Sequence, residues 1–374
     1  MLELADIFRV AGPDYRTSHA GRMLPSHARA MDDIVRCRTP ALGGAVYQCD
    51  ACGTRDFAYH SCRNRHCPKC QGDRAQAWLA GVRARMLPCD HYLLTFTLPE
   101  QLRGLARTHQ TTVYSALVRQ AAAAVQTLAT DRAWIGGDVG ILAVLHTWTR
   151  TLDYHPHVHL LVTAGGLTAD GTAWIQPAHA RFLMPGYILS ELFRGKMRAA
   201  LVRAGLADRH DPVWRRRWTV HLAPIGHGDH ALRYLSRYVF HVALSNTRLQ
   251  HFVDDRVTFR YTHARTQETR RLTLPVETFI ERFLQHVLPR RFTKIRYFGL
   301  LSPSCRAKRD RARRLLEDHA APDPPLAPRP TDEPVTSTAA TGTGTGAPRA
   351  LRCPACHRGR LHVIERISRS RAPP

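Results

Sequence analysis

The fold is decided by the stretch Tyr154–Val162, YHPHVHLLV, in which histidines occupy alternate positions. Successive side chains of a strand point to opposite faces, so His157 and His159 project together while Val158 turns to the other, buried side. Two imidazoles on one strand form part of a site for a divalent cation, which one further nitrogen or oxygen ligand would complete. His155 shares the same face. Strand histidines can equally be core or surface residues, so this stretch alone leaves both interpretations open.

Further elements are predicted on both sides of this strand. Strand-like runs lie at 91–97 (HYLLTFT), 141–148, 218–223, 257–261 and 270–274. Helical spacing is found at 76–88, 101–129, 187–204, 229–244 and 276–288. Strands and helices are mixed without regular alternation, which favours an α+β fold over a doubly wound sheet.

A tyrosine pair lies in the predicted helix at 229–244. Tyr234 and Tyr238 are four residues apart and would share one helical face, flanked by Arg233 and Arg237. A free tyrosine hydroxyl is a weak nucleophile, but it becomes useful when a metal draws charge from a scissile phosphate. Tyrosines at this spacing are also common in packed cores, so the pair alone does not distinguish a nucleophile from a core stripe.

Cysteine spacing predicts a zinc module near the N-terminus. The two CxxC pairs, Cys49 with Cys52 and Cys67 with Cys70, are separated by 14 residues. Four thiolates complete the tetrahedral shell of a structural zinc ion. We therefore predict one zinc site from these four residues. Other candidate ligands in this region, for a second zinc ion or as small core residues, are Cys37, Cys62 and His66.

Three further segments each allow more than one interpretation. Arg63 and Arg65, beside the second pair, are placed for phosphate contacts or form a solvated loop. The basic run at 306–314 would lie along a phosphate backbone or form a solvated helix face, with Arg306, Lys308 and Arg309 as its candidate contacts. The pair Cys353 and Cys356 would bind zinc with a nearby histidine, pair with cysteines elsewhere, or remain disordered.

Composition divides the chain into four parts. Residues 1–75 form the predicted zinc-binding, DNA-binding module, and residues 76–301 form a second part that carries the histidine strand and the tyrosine pair. Residues 302–350 combine the basic segment with a linker whose prolines and Thr-Gly repeat predict disorder. Residues 351–374 form a small cysteine-containing tail.

The charge predicts the partner. The chain of 374 residues carries a formal net charge of +24, which attracts polyanions and favours nucleic acid. No apolar run is long enough to span a membrane, and the N-terminus lacks the pattern of a signal peptide. We therefore expect a cytoplasmic, nucleoid-associated protein without a membrane partner.

Taken in order, these motifs resemble the two-tyrosine HUH transposases of rolling-circle bacterial insertion sequences that have an N-terminal zinc-binding domain. The resemblance runs from about residue 37 to 301. Its most specific parts are SCRNRHCPKCQ at 61–71, HPHVHLLV at 155–162 and RYLSRYVFHVALSNTRL at 233–249, with RYFGLLS at 296–302 near its end.

The resemblance implies that residues 76–301 form an HUH nuclease domain, the catalytic domain, in which an antiparallel sheet is flanked by helices and HYLLTFT lies beside the histidine strand. It implies that His157 and His159 bind a catalytic Mg²⁺ or Mn²⁺ and that Tyr234 and Tyr238 are the nucleophiles. The enzyme would nick and join single-stranded element ends and target through a 5′-phosphotyrosine, with host helicase unwinding the DNA. The third metal ligand does not follow; the candidates are His146, His155, His241 and Asn246.

Two other functions stay open at this point. A plasmid or phage rolling-circle replication initiator would share the same chemistry. In a non-catalytic zinc-containing DNA-binding regulator, the tyrosines and histidines would be structural.

Overall fold

A computed structural model of the chain describes residues 1–70, 78–179, 183–227, 243–263, 265–318 and 351–369. The chain divides into two compact units. The first comprises Met1–Arg74 and Asp323–Pro374, and the second comprises Ala75–Pro322. The predicted disordered linker falls mostly between 319 and 350, outside the described residues.

The first unit begins with two helices, α1 (Leu4–Ser18) and α2 (Pro25–Arg36), which pack against each other. Buried α1 side chains recur at helical spacing, as in Leu4, Phe8 and Ala11, because one face of the helix is apolar. A four-stranded sheet follows, in the order β13-β14-β1-β2. Its strands are β1 (Gly44–Cys49), β2 (Arg55–Tyr59), β13 (Leu351–Arg352) and β14 (Arg360–Ile367).

The C-terminal tail is therefore not a separate module, and the predicted separation of 351–374 from the N-terminal module is corrected. Strand β14 pairs antiparallel with β1, from Gly44 opposite Ile367 to Cys49 opposite Leu361. Without it, β1 would present unpaired backbone groups along one edge. Periodicity within the tail could not reveal a partner strand about 300 residues away.

The second unit is built on a five-stranded antiparallel sheet in the order β12-β4-β5-β3-β8. Its strands are β3 (Asp90–Thr97), β4 (Gly140–Trp148), β5 (Tyr154–Thr163), β8 (Val220–His227) and β12 (Ile295–Gly299). The histidine strand is β5, the central one, and HYLLTFT is its neighbour β3. The predicted α+β class, with an antiparallel sheet and helices, is confirmed.

Both faces of this sheet are partly covered. One face, with Phe96, Val158 and Leu160, lies in the main core. That core includes α4 (Gln110–Ala129), which follows the short α3 (Arg103–Thr108), and α5 (Gly186–Arg203). The other face carries Leu161 and Val144 in a smaller cluster with Val82 and Met86. The alternation along β5 thus gives the histidines the same face as Leu161.

Smaller elements complete the unit. A three-stranded sheet contains β9 (Leu249–Val253), β10 (Arg256–Thr262) and β11 (Thr269–Pro275). Helix α6 (Val276–Leu284) packs on it through Phe279 and Phe259, whose ring centroids are 6.0 Å apart. Strands β6 (Gly166–Leu167) and β7 (Trp174–Ile175) form a separate pair.

The basic run forms the helix α7 (Arg306–Asp318), which packs on the second unit. Arg313 donates to the carbonyl oxygens of Ala84 at 2.8 Å and Met86 at 3.0 Å. Lys308 forms an ion pair with Asp138 at 2.8 Å, and Arg309 is buried. The prediction that Arg309 contacts DNA is therefore corrected, because its side chain is buried in the fold. The side chain of Arg306 is exposed and stays a candidate.

Among the helices of the described ranges, none has the length and apolar character that crossing a membrane requires.

The buried His286 predicts a pH dependence of stability. Its Nε2 lies 3.1 Å from the carbonyl oxygen of Leu152 and its Nδ1 lies 3.3 Å from the hydroxyl of Thr147. Burial is the main cause that lowers the pKa of His286 to about 4. The unfolded chain binds this proton below about pH 6.5, so stability contributed by neutral His286 is complete above that pH and falls as pH drops toward 4.

We expect this residue alone to lower the free energy of unfolding by about 2 kcal/mol between pH 7 and pH 5. Urea titrations of the wild type and the His286→Gln variant at both pH values measure it. Other buried histidines titrate in both proteins, so the difference between their pH effects isolates His286. Equal pH effects in the two proteins would contradict the prediction.

Candidate functional site

Three histidines meet on one face of the five-stranded sheet. His146 on β4 lies directly opposite His157 on β5, and His159 lies two residues further along the same strand. One ring nitrogen from each of the three lies within 4.8 Å of the others. His146 and His159 are buried and His157 is half-buried. Three imidazoles at this separation are placed to bind one metal ion and leave further coordination positions for other ligands.

Contacts to the rings of β5 fix their orientation. Nδ1 of His157 lies 2.6 Å from the carbonyl oxygen of His155, to which it donates as the protonated nitrogen. Nδ1 of His159 lies 3.0 Å from the hydroxyl of Thr95 on β3. Both Nδ1 atoms therefore contact the protein, and a metal ion would be bound through Nε2.

Burial keeps the two histidines of β5 neutral. Burial is the largest cause that lowers the pKa of His157 to about 4, and burial also holds the pKa of His159 well below its usual range. The positive charge of Lys294 lowers both values further. Metal ions bind the deprotonated imidazole, so both rings are in the binding form at neutral pH.

Two further side chains, Trp148 and Lys294, lie beside the three histidines. The indole of Trp148 stacks on His146, with centroids 4.9 Å apart and planes at 16°. The ammonium of Lys294 lies 4.9 Å from the centroid of the Trp148 ring. Trp148 and Lys294 were not predicted as site residues. Trp148 could have been found from the sequence, because it lies two positions after His146 on the same predicted strand.

Of the other candidates for the third ligand, the structure describes His155 and Asn246. Arg103 donates to Nδ1 of His155 at 2.9 Å, and His155 is not a member of the three-histidine group. Asn246 begins a short 3-10 turn, Asn246–Arg248. The geometry therefore favours His146 over His155 as the third ligand, which stays a prediction. The predicted residues that lie outside the described part of the chain are Tyr234, Tyr238, Arg233, Arg237 and His241.

The cysteines of the first unit form two groups of four rather than one. The first group consists of Cys37, Cys62, Cys67 and Cys70, and the second consists of Cys49, Cys52, Cys353 and Cys356. The predicted single shell from Cys49, Cys52, Cys67 and Cys70 is wrong, because the two CxxC pairs lie in different groups. Spacing identifies the two cysteines of a turn, but it does not identify which other turn faces them.

The first cysteine group is tied to α2. Cys37 follows the last residue of that helix and is fully buried. Its sulfur lies 3.4 Å from that of Cys70, and the sulfur of Cys62 lies 3.5 Å from that of Cys70. The amide of Asn64 donates to Asp33 at 2.9 Å and attaches the intervening loop to α2. His66, a predicted ligand, belongs to neither group.

The two arginines of this loop differ in accessibility. Arg63 is exposed, whereas Arg65 is half-buried, and burial lowers the pKa of Arg65. Arg63 is therefore the better placed of the two for a phosphate contact, which stays a prediction.

Comparison with known protein families matches two models to the chain. Residues 7–98 match the family described as "Transposase zinc-binding domain", and residues 140–309 match the family described as "Putative transposase". The three histidines lie within the second match and the first cysteine group lies within the first.

Two curated relatives extend these matches. The chain is 37% identical over 396 residues to "Putative transposase y4qJ" of Sinorhizobium fredii (strain NBRC 101917 / NGR234), covering 100% of this chain and 97% of that protein. It is 31% identical over 296 residues to "Transposase for insertion sequence element IS801" of Pseudomonas savastanoi pv. phaseolicola, covering 72% of this chain and 68% of that protein. No solved structure matches the chain significantly.

The resemblance expected from the motifs is thus confirmed at the level of the family. Similarity over the whole length, with both family matches in the expected order, shows that the chain belongs to the insertion-sequence transposases that have an N-terminal zinc-binding domain.

Proposed function

We propose that this transposase cleaves and joins single-stranded DNA through a covalent 5′-phosphotyrosine. The observation that carries the proposal is the group formed by His146, His157 and His159, whose ring nitrogens lie within 4.8 Å of one another. A site of three imidazoles with open positions is suited to a metal ion that also contacts a substrate oxygen.

The donor set fits a divalent cation. Burial keeps His157 and His159 neutral, and contacts through Nδ1 orient both rings. A bound Mn²⁺ or Mg²⁺ would supply positive charge to the scissile phosphate and to the leaving 3′ oxygen. Three nitrogen ligands favour Mn²⁺ over Mg²⁺, which prefers oxygen ligands.

The chain's own residues would carry out the covalent step. The hydroxyl oxygen of Tyr238 or Tyr234 attacks the phosphorus atom, and the bond between phosphorus and the 3′ oxygen breaks. The phenolic proton is released, and the leaving oxygen takes up a proton to become a 3′ hydroxyl. The phosphotyrosine retains the energy of the broken ester, so a second 3′ hydroxyl can attack it and restore a DNA strand.

Positive side chains at the edge of the histidine group would hold the DNA. The charge of Lys294 acts on both His157 and His159, and Arg103 contacts His155 on the same strand. Cations beside a metal site attract the phosphate backbone without reading its sequence. We assign these two residues to phosphate binding.

The zinc ion of the N-terminal domain would be held by the first cysteine group, Cys37, Cys62, Cys67 and Cys70. All four thiols belong to the matched domain, and four thiolates leave no position for a substrate. Its role would be structural.

An adduct assay tests the proposed reaction. The full chain is incubated with labelled single-stranded oligonucleotides that carry the ends of its element, with Mn²⁺, with Mg²⁺ or without added metal. We expect a DNA-protein adduct that resists SDS, requires the metal and is absent in the Tyr234→Phe/Tyr238→Phe double variant. The matched control is Tyr187→Phe, an exposed tyrosine of α5, which should form the adduct normally. An adduct of undiminished yield in the double variant would refute the proposal.

A further inference from the structure

The second cysteine group joins opposite ends of the chain. Cys49 and Cys52 lie at the end of β1 and in the turn after it, whereas Cys353 and Cys356 lie between β13 and β14. The sulfur of Cys49 lies 3.7 Å from that of Cys356, and the sulfur of Cys52 lies 3.7 Å from that of Cys353. The four thiols therefore form one compact group from two distant CxxC turns.

These separations match a zinc shell. Zinc–sulfur bonds of about 2.3 Å in a tetrahedron place the sulfur atoms about 3.8 Å apart. Sulfur atoms joined in a disulfide would be only about 2.0 Å apart. The group thus has the spacing of four thiolates around one ion, and the first cysteine group has nearly the same spacing.

Backbone donors face the sulfur atoms as expected for thiolates. The amide N–H of Ala51 donates to the sulfur of Cys49 at 3.4 Å, and that of Gly359 donates to the sulfur of Cys356 at 3.4 Å. Hydrogen bonds from outside the shell orient metal ligands and stabilise their negative charge. Each half of the group therefore contains a sulfur atom that accepts a backbone N–H.

The two turns also fit closely against each other. A Cβ atom on Gly359 would collide with the sulfur of Cys49 and would lie 2.6 Å from a carboxylate oxygen of Asp50. The same carboxylate accepts the backbone N–H of Arg360 at 2.8 Å and lies 3.3 Å from Nε2 of His362. Only glycine permits this approach, so the C-terminal turn is shaped to meet the N-terminal one.

We propose that Cys49, Cys52, Cys353 and Cys356 bind a second structural zinc ion, which fastens the C-terminal segment to the N-terminal domain. The family match to the zinc-binding domain covers residues 7–98 and therefore contains only half of these ligands. The domain would be completed by the end of the chain, through the metal and through the pairing of β14 with β1.

Zinc content per chain tests the proposal. In purified full-length protein, the Cys353→Ser/Cys356→Ser double variant should contain one zinc ion fewer than the matched Cys305→Ser control, whose cysteine belongs to neither group. Zinc at the first cysteine group or at the histidines is present in both proteins and cancels in the comparison. Equal zinc content in the two proteins would overturn the proposal.

Cobalt substitution gives a second measurement. Thiolate ligands give Co²⁺ a strong charge-transfer absorption that histidine sites lack. We expect the double variant to lose about half of this absorption, since one of two four-thiolate sites is removed. Full absorption in the double variant would overturn the proposal.

A variant that keeps all eight cysteines of the two groups provides a further test. Gly359→Ala should release one zinc ion to a chelator faster than the wild type, because the added methyl group separates the two turns. The matched control is Gly21→Ala, where a Cβ atom would meet nothing within 4 Å. Unchanged release in Gly359→Ala would contradict the close approach that the proposal requires.

Discussion

The His157→Gln/His159→Gln double variant is expected to form the DNA-protein adduct roughly a thousandfold more slowly than the wild type. Metal ions supply several kcal/mol of charge stabilisation to a phosphoryl-transfer transition state, and each 1.4 kcal/mol changes a rate about tenfold. Two of the three nitrogens that would bind the ion belong to these side chains. Glutamine keeps polarity and approximate size but replaces an imidazole with a weak amide ligand.

The slower adduct formation should result from weaker metal binding rather than from misfolding. His157 and His159 lie on the same face of β5 as the apolar residue Leu161, which forms the adjoining core with Val144 and is unchanged in the variant. The variant should therefore fold, which circular dichroism can verify, and Mn²⁺ titration should show the weaker binding directly. Raising the Mn²⁺ concentration should recover part of the rate.

Two companion variants make this result specific. His146→Gln should also lower the adduct rate, because His146 completes the group from β4. His210→Gln replaces an exposed histidine in the loop after α5 and should behave as the wild type. A double variant of His157 and His159 that forms adduct at the wild-type rate would exclude these histidines as the metal site.

Local pattern was sufficient to predict the histidine strand. The alternation in HPHVHLLV placed His157 and His159 on one face, and the apolar residues between and after them predicted a strand with a buried side. Alternation predicts which residues of one strand share a face, but it does not predict how that strand pairs with its neighbours. Choosing His146 over His155 requires the register of β4 against β5, in which His146 faces His157 and an irregularity follows before Trp148. Register depends on pairing between strands, which periodicity within one strand does not contain.

The two cysteine groups also could not be predicted from local pattern, because their members are far apart in the sequence. Each CxxC turn is recognisable by itself, yet three such turns allow more than one pairing. Cys67 and Cys70 turn toward α2, where Cys37 caps the helix, while Cys49 ends a strand whose neighbour is β14. The partners of both pairs are decided by tertiary contacts, so the nearest pairs in sequence were not the pairs that meet.

Replacing Cys67 and Cys70 with serine is expected to remove one zinc ion and to unfold much of the first unit. Structural zinc sites contribute on the order of 10 kcal/mol to the folding of small domains, which have little apolar core of their own. Cys67 and Cys70 are both buried, and the group they complete joins the end of α2 to the loop before residue 70.

Hydrogen exchange followed by mass spectrometry should show faster exchange in peptides from α1 and α2, while peptides from the five-stranded sheet keep wild-type protection because they belong to the second unit. The Cys305→Ser variant should match the wild type throughout. The Cys353→Ser/Cys356→Ser variant should lose its protection chiefly in β1, so the two cysteine groups can be told apart by where exchange increases. Wild-type protection of α2 in the Cys67→Ser/Cys70→Ser protein would show that the helices fold without the first zinc ion.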